Sequence, residues 1–126
     1  MPKALAKKFS CPIEFTLEVL GGKWKTVILC HLKQRPCRYG ELRRLVPTLS
    51  DKVLTQRLAD LVVSGLIVRK RLPGQAKIDL YALTPRGKSL SGVLDDLYTW
   101  GSSHAVEFGA VIEDPLQDPA QQYPSG

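Results

Sequence analysis

Within the run Ser50-Asp51-Lys52-Val53-Leu54-Thr55-Gln56-Arg57-Leu58, three residues have the chemistry to read a base edge. At 100° per residue, Lys52, Thr55 and Gln56, with Ala59, share the side of a helix opposite Leu54, Leu58 and Leu61. That side offers hydrogen-bonding groups, no large apolar group and no acid. Glutamine can bond adenine through two contacts, lysine suits guanine or a phosphate, and threonine can touch a thymine methyl. Ser50, with the first free amides of the helix, can meet a phosphate. A solvated helix face has the same composition, so the neighbouring residues must decide between the two.

Those neighbours are basic. Arg38, Arg43 and Arg44 precede the helix, where an element crossing a nucleic-acid backbone offers phosphate contacts. Arg57 sits at the flank of the leucine stripe, with two destinations open to it: a phosphate, or an internal pair with Glu41 or Asp60. Further on, Arg69, Lys70, Arg71 and Lys77 come together in one hairpin, and strand alternation sends Arg69 and Arg71 to one face. Lys77, at the tip in the link between the two β-rich runs, is expected to reach the minor groove or its flanking phosphates.

Other chemistries find little support. His31 and His104 lie far apart, and Cys30 and His31 are adjacent, so they point to different sides of a helix. Gly21-Gly22-Lys23 lacks the first half of a Walker phosphate loop. Cys11, Cys30 and Cys37 are too few and too unevenly spaced for a disulfide framework or a four-ligand zinc site. The expectation is a protein without catalytic residues, metal or cofactor. Cys11 is the one cysteine in a reactive setting: it precedes a helix whose positive end favours a thiolate, with Lys7 and Lys8 close in sequence. Cys30 reads as core, and Cys37 as a second, weaker thiol candidate.

The elements that must position these residues follow from caps and periodicity. A first helix opens at Cys11-Pro12, with proline where its missing N–H costs nothing, and ends at Gly21-Gly22. A second runs from about Lys23 with Trp24, Val27, Ile28 and Leu32 inward, and stops before Pro36. A short third spans Gly40 to Val46 and is closed by Pro47. The fourth starts at Ser50 as N-cap and ends at Ser64-Gly65. Leu66 to Leu72 and Ile78 to Leu83 form a hairpin around Pro73-Gly74. Thr84-Pro85 opens a last helix reaching about Phe108, with Leu90, Val93, Leu94, Leu97 and Trp100 on one side. That stripe is too long and too apolar for a small domain to cover alone, so it is expected to meet a second copy, joined by Phe9 and Leu5 from the N-terminal arm.

The chain has 126 residues and a net charge of +6, which fits one domain. The charge is unevenly divided. Residues 1–88 hold all 18 basic residues and six acids, net +12, while residues 89–126 hold the other six acids, net −6. A basic body with an acidic end points to a polyanionic partner. Apolar runs are too short for a membrane helix and no secretory leader is visible, so a soluble cytoplasmic domain with no membrane partner is expected. The organisation reads as a basic arm at 1–10, a domain at 11–108 whose last helix, about 85–108, serves dimerisation, and a flexible acidic tail at 109–126. The fold class is α+β: a winged helix-turn-helix with terminal dimerisation helices.

Several ordered motifs then resemble one family. Cys11-Pro12-Ile13 followed by Gly21-Gly22-Lys23-Trp24, Arg38-Tyr39-Gly40-Glu41-Leu42, the run Leu49 to Leu58, and Tyr81-Ala82-Leu83-Thr84 with Gly87 are similar to HxlR-type transcription regulators over residues 11–101. The resemblance implies a winged-helix homodimer on a pseudo-palindromic double-stranded operator, a repressor more often than an activator. It also supports Cys11 as a sensor of oxidants or electrophiles, since some members use a cysteine there; regulation by a small molecule without thiol sensing is the alternative. A winged helix turned to protein interaction would show acids or apolar groups where Lys52, Thr55 and Gln56 stand. One stretch departs: the family places an apolar residue and then an acid directly before the wing tyrosine, but here the order is Asp79-Leu80-Tyr81. A shifted or bulged second wing strand is the expectation.

Overall fold

The computed structural model describes residues 8–71, 74 and 79–113. Lys77, Leu5 and the stretch from 114 to the C-terminus, all part of the expectations above, lie outside the described residues. In chain order the elements are α1 (Pro12–Leu20), α2 (Lys25–Gln34), β1 (Cys37–Arg38), α3 (Tyr39–Leu45), α4 (Asp51–Val63), β2 (Ile67–Arg71), β3 (Asp79–Leu83), α5 (Pro85–Lys88), α6 (Ser91–His104) and a 3₁₀ turn (Ala105–Phe108). The strands form one antiparallel sheet in the order β1-β3-β2.

The helices begin where local chemistry starts them. Pro12 stands in the first turn of α1, Ser50 Oγ accepts the Val53 amide at 3.1 Å, and Thr84 Oγ1 accepts the Gly87 amide at 3.1 Å. Gly65, with φ at +77°, turns the chain out of α4 in a conformation that a side chain resists. Gly87 is required for a different reason: a β-carbon there would lie 2.1 Å from the Leu66 carbonyl oxygen. The start of α5 thus presses directly on the chain entering β2, and Thr84 donates its hydroxyl to the Gly65 carbonyl at 2.6 Å beside it.

The core joins α2, α3 and α4 to the sheet. Ile28 and Leu29 of α2, Leu42 of α3, Leu54 and Leu61 of α4, and Cys37 of β1 have no exposed surface. Leu58, Ile67 and Leu94 retain 2%. His31 is also fully buried on α2. By contrast, α1 buries only Leu20, and Ile13, Phe15 and Leu17 face out.

Three expectations change. The hairpin has no bulge in its described part: the register runs one to one from Ile67 opposite Leu83 to Arg71 opposite Asp79. The single helix expected over 85–108 is broken, because the chain leaves α5 at Ser89-Leu90 and restarts at Ser91; apolar periodicity continues across the break and hides it. A third strand was not expected at all. Cys37 and Arg38 pair with Tyr81 and Leu80, which ties the start of α3 to the wing.

Candidate nucleic-acid interface

Helix α4 is fixed by its inner face and exposed on its outer one, where Thr55 Oγ1 lies 3.4 Å from the Tyr39 hydroxyl. Leu54, Leu58 and Leu61 are buried, while Lys52, Thr55, Gln56 and Ala59 are exposed. A helix of 13 residues held by three buried leucines and a side-chain cap is a rigid mount for the polar groups on its outer face.

The turn before α4 is locked by polar side chains rather than by packing alone. Arg43, expected among the phosphate contacts, is turned inward: its Nε lies 2.8 Å from Asp51 Oδ1, and its Nη1 donates to the Leu49 carbonyl oxygen. Asp51 also accepts the Tyr39 hydroxyl at 2.7 Å. Arg43 and Tyr39 of α3 therefore grip the first residue of α4 and the chain just before it. This grip offsets the negative charge that Asp51 would otherwise present beside the helix amides. Burial, with the bond to Asp51, raises the Tyr39 phenol above its ordinary pKa and keeps it a donor.

One layer further back, Glu41 accepts the Arg38 amide at 2.8 Å and pairs with Arg35 at 2.8 Å. Its partial burial works against ionisation. The Arg38 N–H and the Arg35 guanidinium outweigh that burial and hold the carboxyl below the usual carboxylate range. This closes the start of α3.

The expected basic contacts now sort into three groups. Arg38, Arg44 and Lys52 are exposed and, among the described residues, have no acid within ion-pair distance. Ser50 is exposed, but its oxygen is already used as the α4 cap. Arg57 takes the internal alternative, with Nη1 3.2 Å from Asp60 Oδ2. Arg69 and Arg71 share one face of β2, as alternation requires, and both meet Asp79: Arg69 Nε at 3.4 Å and Arg71 Nε at 3.0 Å. Sequence reasoning did not see the roles of Tyr39 and Asp79. For Asp79 the displaced acid before Tyr81 was the available signal; Tyr39 gave none, since its bond to Asp51 spans a turn that has no periodicity.

The expected dimer seam along α6 also changes its membership. Leu94 turns into the chain's own core, whereas Val93, Leu97 and Trp100 stay exposed and Leu90 is half-buried. Trp100 stacks on His104 with ring centroids 4.4 Å apart, so His104 belongs to the end of this helix. Phe9 meets Phe15 of α1 edge to face at 5.5 Å. Among the cysteines, Cys11 is exposed at the N-cap of α1, Cys30 is partly buried and Cys37 is buried. Burial pushes the Cys37 thiol up to about 11, against the pull of Arg35, so it is protonated and shielded.

The described residues contain no helix long and apolar enough to cross a membrane, and no cluster of three or more metal-ligating side chains. The model of the family described as HxlR-like helix-turn-helix matches residues 19–108. The HTH-type transcriptional regulator YtcD of Bacillus subtilis is 41% identical, over 92% of this chain and 96% of its own length. Among solved structures, the redox regulator HypR in its reduced form superposes with a TM-score of 0.74 at 31% identity, covering 79% of this chain and 98% of that one. The reduced form of the transcriptional regulator YodB from Bacillus subtilis gives a TM-score of 0.67 at 29% identity, covering 75% and 94%. With a grounded α4, a hairpin wing and these relatives, the chain belongs to the HxlR-like helix-turn-helix family and is a DNA-binding winged-helix regulator of transcription.

Proposed function

We propose that the protein is a homodimeric cytoplasmic repressor that reads a pseudo-palindromic operator through α4 and responds to oxidants or electrophiles through Cys11. The observation that carries this reading is the outer face of α4, where Lys52, Thr55 and Gln56 stand exposed on a core-locked helix. Arg38 and Arg44 supply flanking charge for phosphates, and Arg43 acts by holding the turn. A two-fold dimer presents two copies of α4 to half-sites about one helical turn apart. The exposed apolar groups of α6, together with Ile13 and Leu17 of α1, support self-association.

Two facts favour thiol sensing at Cys11. It is the exposed cysteine, with Cys37 buried and Cys30 partly so, and the similar protein HypR is named a redox regulator. The test is an operator-binding titration with and without diamide or a quinone. Wild type is expected to lose affinity on treatment and recover with thiol, and Cys11→Ser to be indifferent. An unchanged response in Cys11→Ser overturns the sensing role but leaves DNA binding standing.

A second reading has its own observation. A cavity of about 350 Å³ between α2 and α6 is lined by Val27, Cys30, Leu94, Leu97 and Tyr98 among others, a size that suits a small apolar effector. Regulation by such a molecule, without thiol chemistry, predicts a DNA response to apolar ligands that survives Cys11→Ser.

A further inference from the structure

The wing carries a three-residue arrangement whose role goes beyond supplying positive charge. On the sheet face that buries Ile67 and Tyr81, the next two cross-strand positions toward the tip are Arg69 opposite Tyr81 and Arg71 opposite Asp79. This is the face that packs on the helices, with β2 against α4 and β3 against α2. Asp79 meets the Nε edge of both arginines: Arg71 Nε donates to Oδ1 at 3.0 Å, and Arg69 Nε is in ion-pair contact with Oδ2 at 3.4 Å. The carboxylate side chain is 26% exposed, the two guanidinium side chains 57% and 56%.

We infer that Asp79 is a positioning residue for DNA binding, which holds Arg69 and Arg71 as a paired fork with their Nη edges turned away from the sheet. An arginine has five N–H donors, and a contact made through Nε leaves the four Nη hydrogens for a phosphate or a groove. Without an anchor, each long side chain on an exposed strand samples many rotamers and loses that freedom on binding. Anchoring both to one carboxylate removes much of that loss beforehand. It also lowers the summed charge of these three residues to one positive charge, which weakens attraction to any duplex regardless of sequence. The anchor therefore trades indiscriminate affinity for geometry. Lys70, on the opposite face across from Leu80, remains outside the arrangement.

The inference rests on the wing meeting DNA. Its test uses the full-length protein and two labelled duplexes of equal length: one selected in vitro from a random pool by the wild type, the other of random sequence. Anisotropy titrations over a range of KCl give affinity and salt slope for each. Asp79→Asn is expected to bind the selected duplex about 10-fold more weakly, the order of loss for a displaced bidentate arginine. It should bind the random duplex as well as wild type or better, with a salt slope as steep or steeper. Asp79→Glu is expected to restore much of the selectivity. Arg69→Lys/Arg71→Lys keeps the charge but not the fork, and is expected to lose selectivity like Asp79→Asn; it is the decisive variant if Asp79→Asn folds poorly. Equal tightening on both duplexes by Asp79→Asn would reduce Asp79 to a screening charge and overturn the inference. So would unchanged selectivity in the double lysine variant. If the wild type selects no sequence at all, the fault lies with sequence-specific binding and not with Asp79.

Discussion

Helices α4 and α6 are nearly equal in length, 13 and 14 residues, and put their apolar stripes to opposite uses. In α4, Leu54, Leu58 and Leu61 are buried to 2% exposure or less, and Lys52, Thr55 and Gln56 stand outside. Only its last two residues, Val62 and Val63, leave large apolar groups exposed, at 40% and 48%. In α6 only Leu94 reaches the core, while Val93, Leu97 and Trp100 stand 38%, 50% and 58% exposed. Burying apolar area is worth about 25 cal/mol per Å², so the leucine stripe of α4 has realised its gain within one chain and most of the α6 stripe has not. The same kind of stripe therefore makes a self-sufficient mount in one place and an incomplete surface in another. That difference suits the proposed homodimer, in which α4 would be held rigidly against DNA and α6 would meet a second copy.

The strongest way to break the comparison is from the α4 side. Leu58→Ala is expected to lower unfolding free energy by about 2–5 kcal/mol, because it leaves a cavity among fixed neighbours. Denaturant titration checks this, and a loss below about 1 kcal/mol would mean that α4 is not core-locked. On the α6 side, Trp100→Ala is expected to weaken self-association by about 2 kcal/mol or more, as truncating an aromatic anchor does, with little change in the unfolding of the isolated protomer. Sedimentation across a concentration series reads it. An unchanged association constant would move the interface away from Trp100. The third test concerns what α4 carries. Gln56→Ala is expected to remove about 1–3 kcal/mol of discrimination at one base position and to leave random-sequence binding intact. Gel shifts against single-base variants of a selected duplex would show it, and uniform weakening on every duplex would make Gln56 a backbone contact.

The contrast also marks how much was legible in the sequence. Element starts were readable wherever local chemistry writes them: at Ser50 and Thr84 because cap and capped amide lie three residues apart, and at Pro12 because proline suits the first turn of a helix. The outer face of α4 was readable because helical period alone divides Lys52 and Gln56 from Leu54 and Leu58. Strand β1 was not: Cys37 and Arg38 are too short a run to carry a period, and their partners Tyr81 and Leu80 lie far along the chain. Period likewise could not say that Leu94 turns to its own core while Leu97 does not, since both sit on one stripe and only the position of α2 separates them. The destinations of Arg43 and Arg57 were hidden for the same reason. A basic residue near a turn looks alike whether it faces a phosphate or, as here, Asp51 or Asp60.

The smallest effect tests whether the mount depends on its polar turn as well as on its leucines. Glu41 sits at the start of α3, one step behind the grip on Asp51, and accepts the Arg38 amide while pairing with Arg35. Partial burial opposes its ionisation, but these partners win, so the folded chain holds Glu41 below the pKa it has when unfolded. The sign follows directly: between the two values the unfolded chain binds the proton and the folded chain does not. The stabilisation is complete above the ordinary carboxylate pKa and is lost as pH falls through the lower, folded value. Glu41→Gln is accordingly expected to have a lower Tm than wild type near neutral pH, with the gap narrowing steadily below about pH 4. A gap that stays constant into acid would assign the loss to shape rather than charge, and α4 would then owe its fixed position to packing alone.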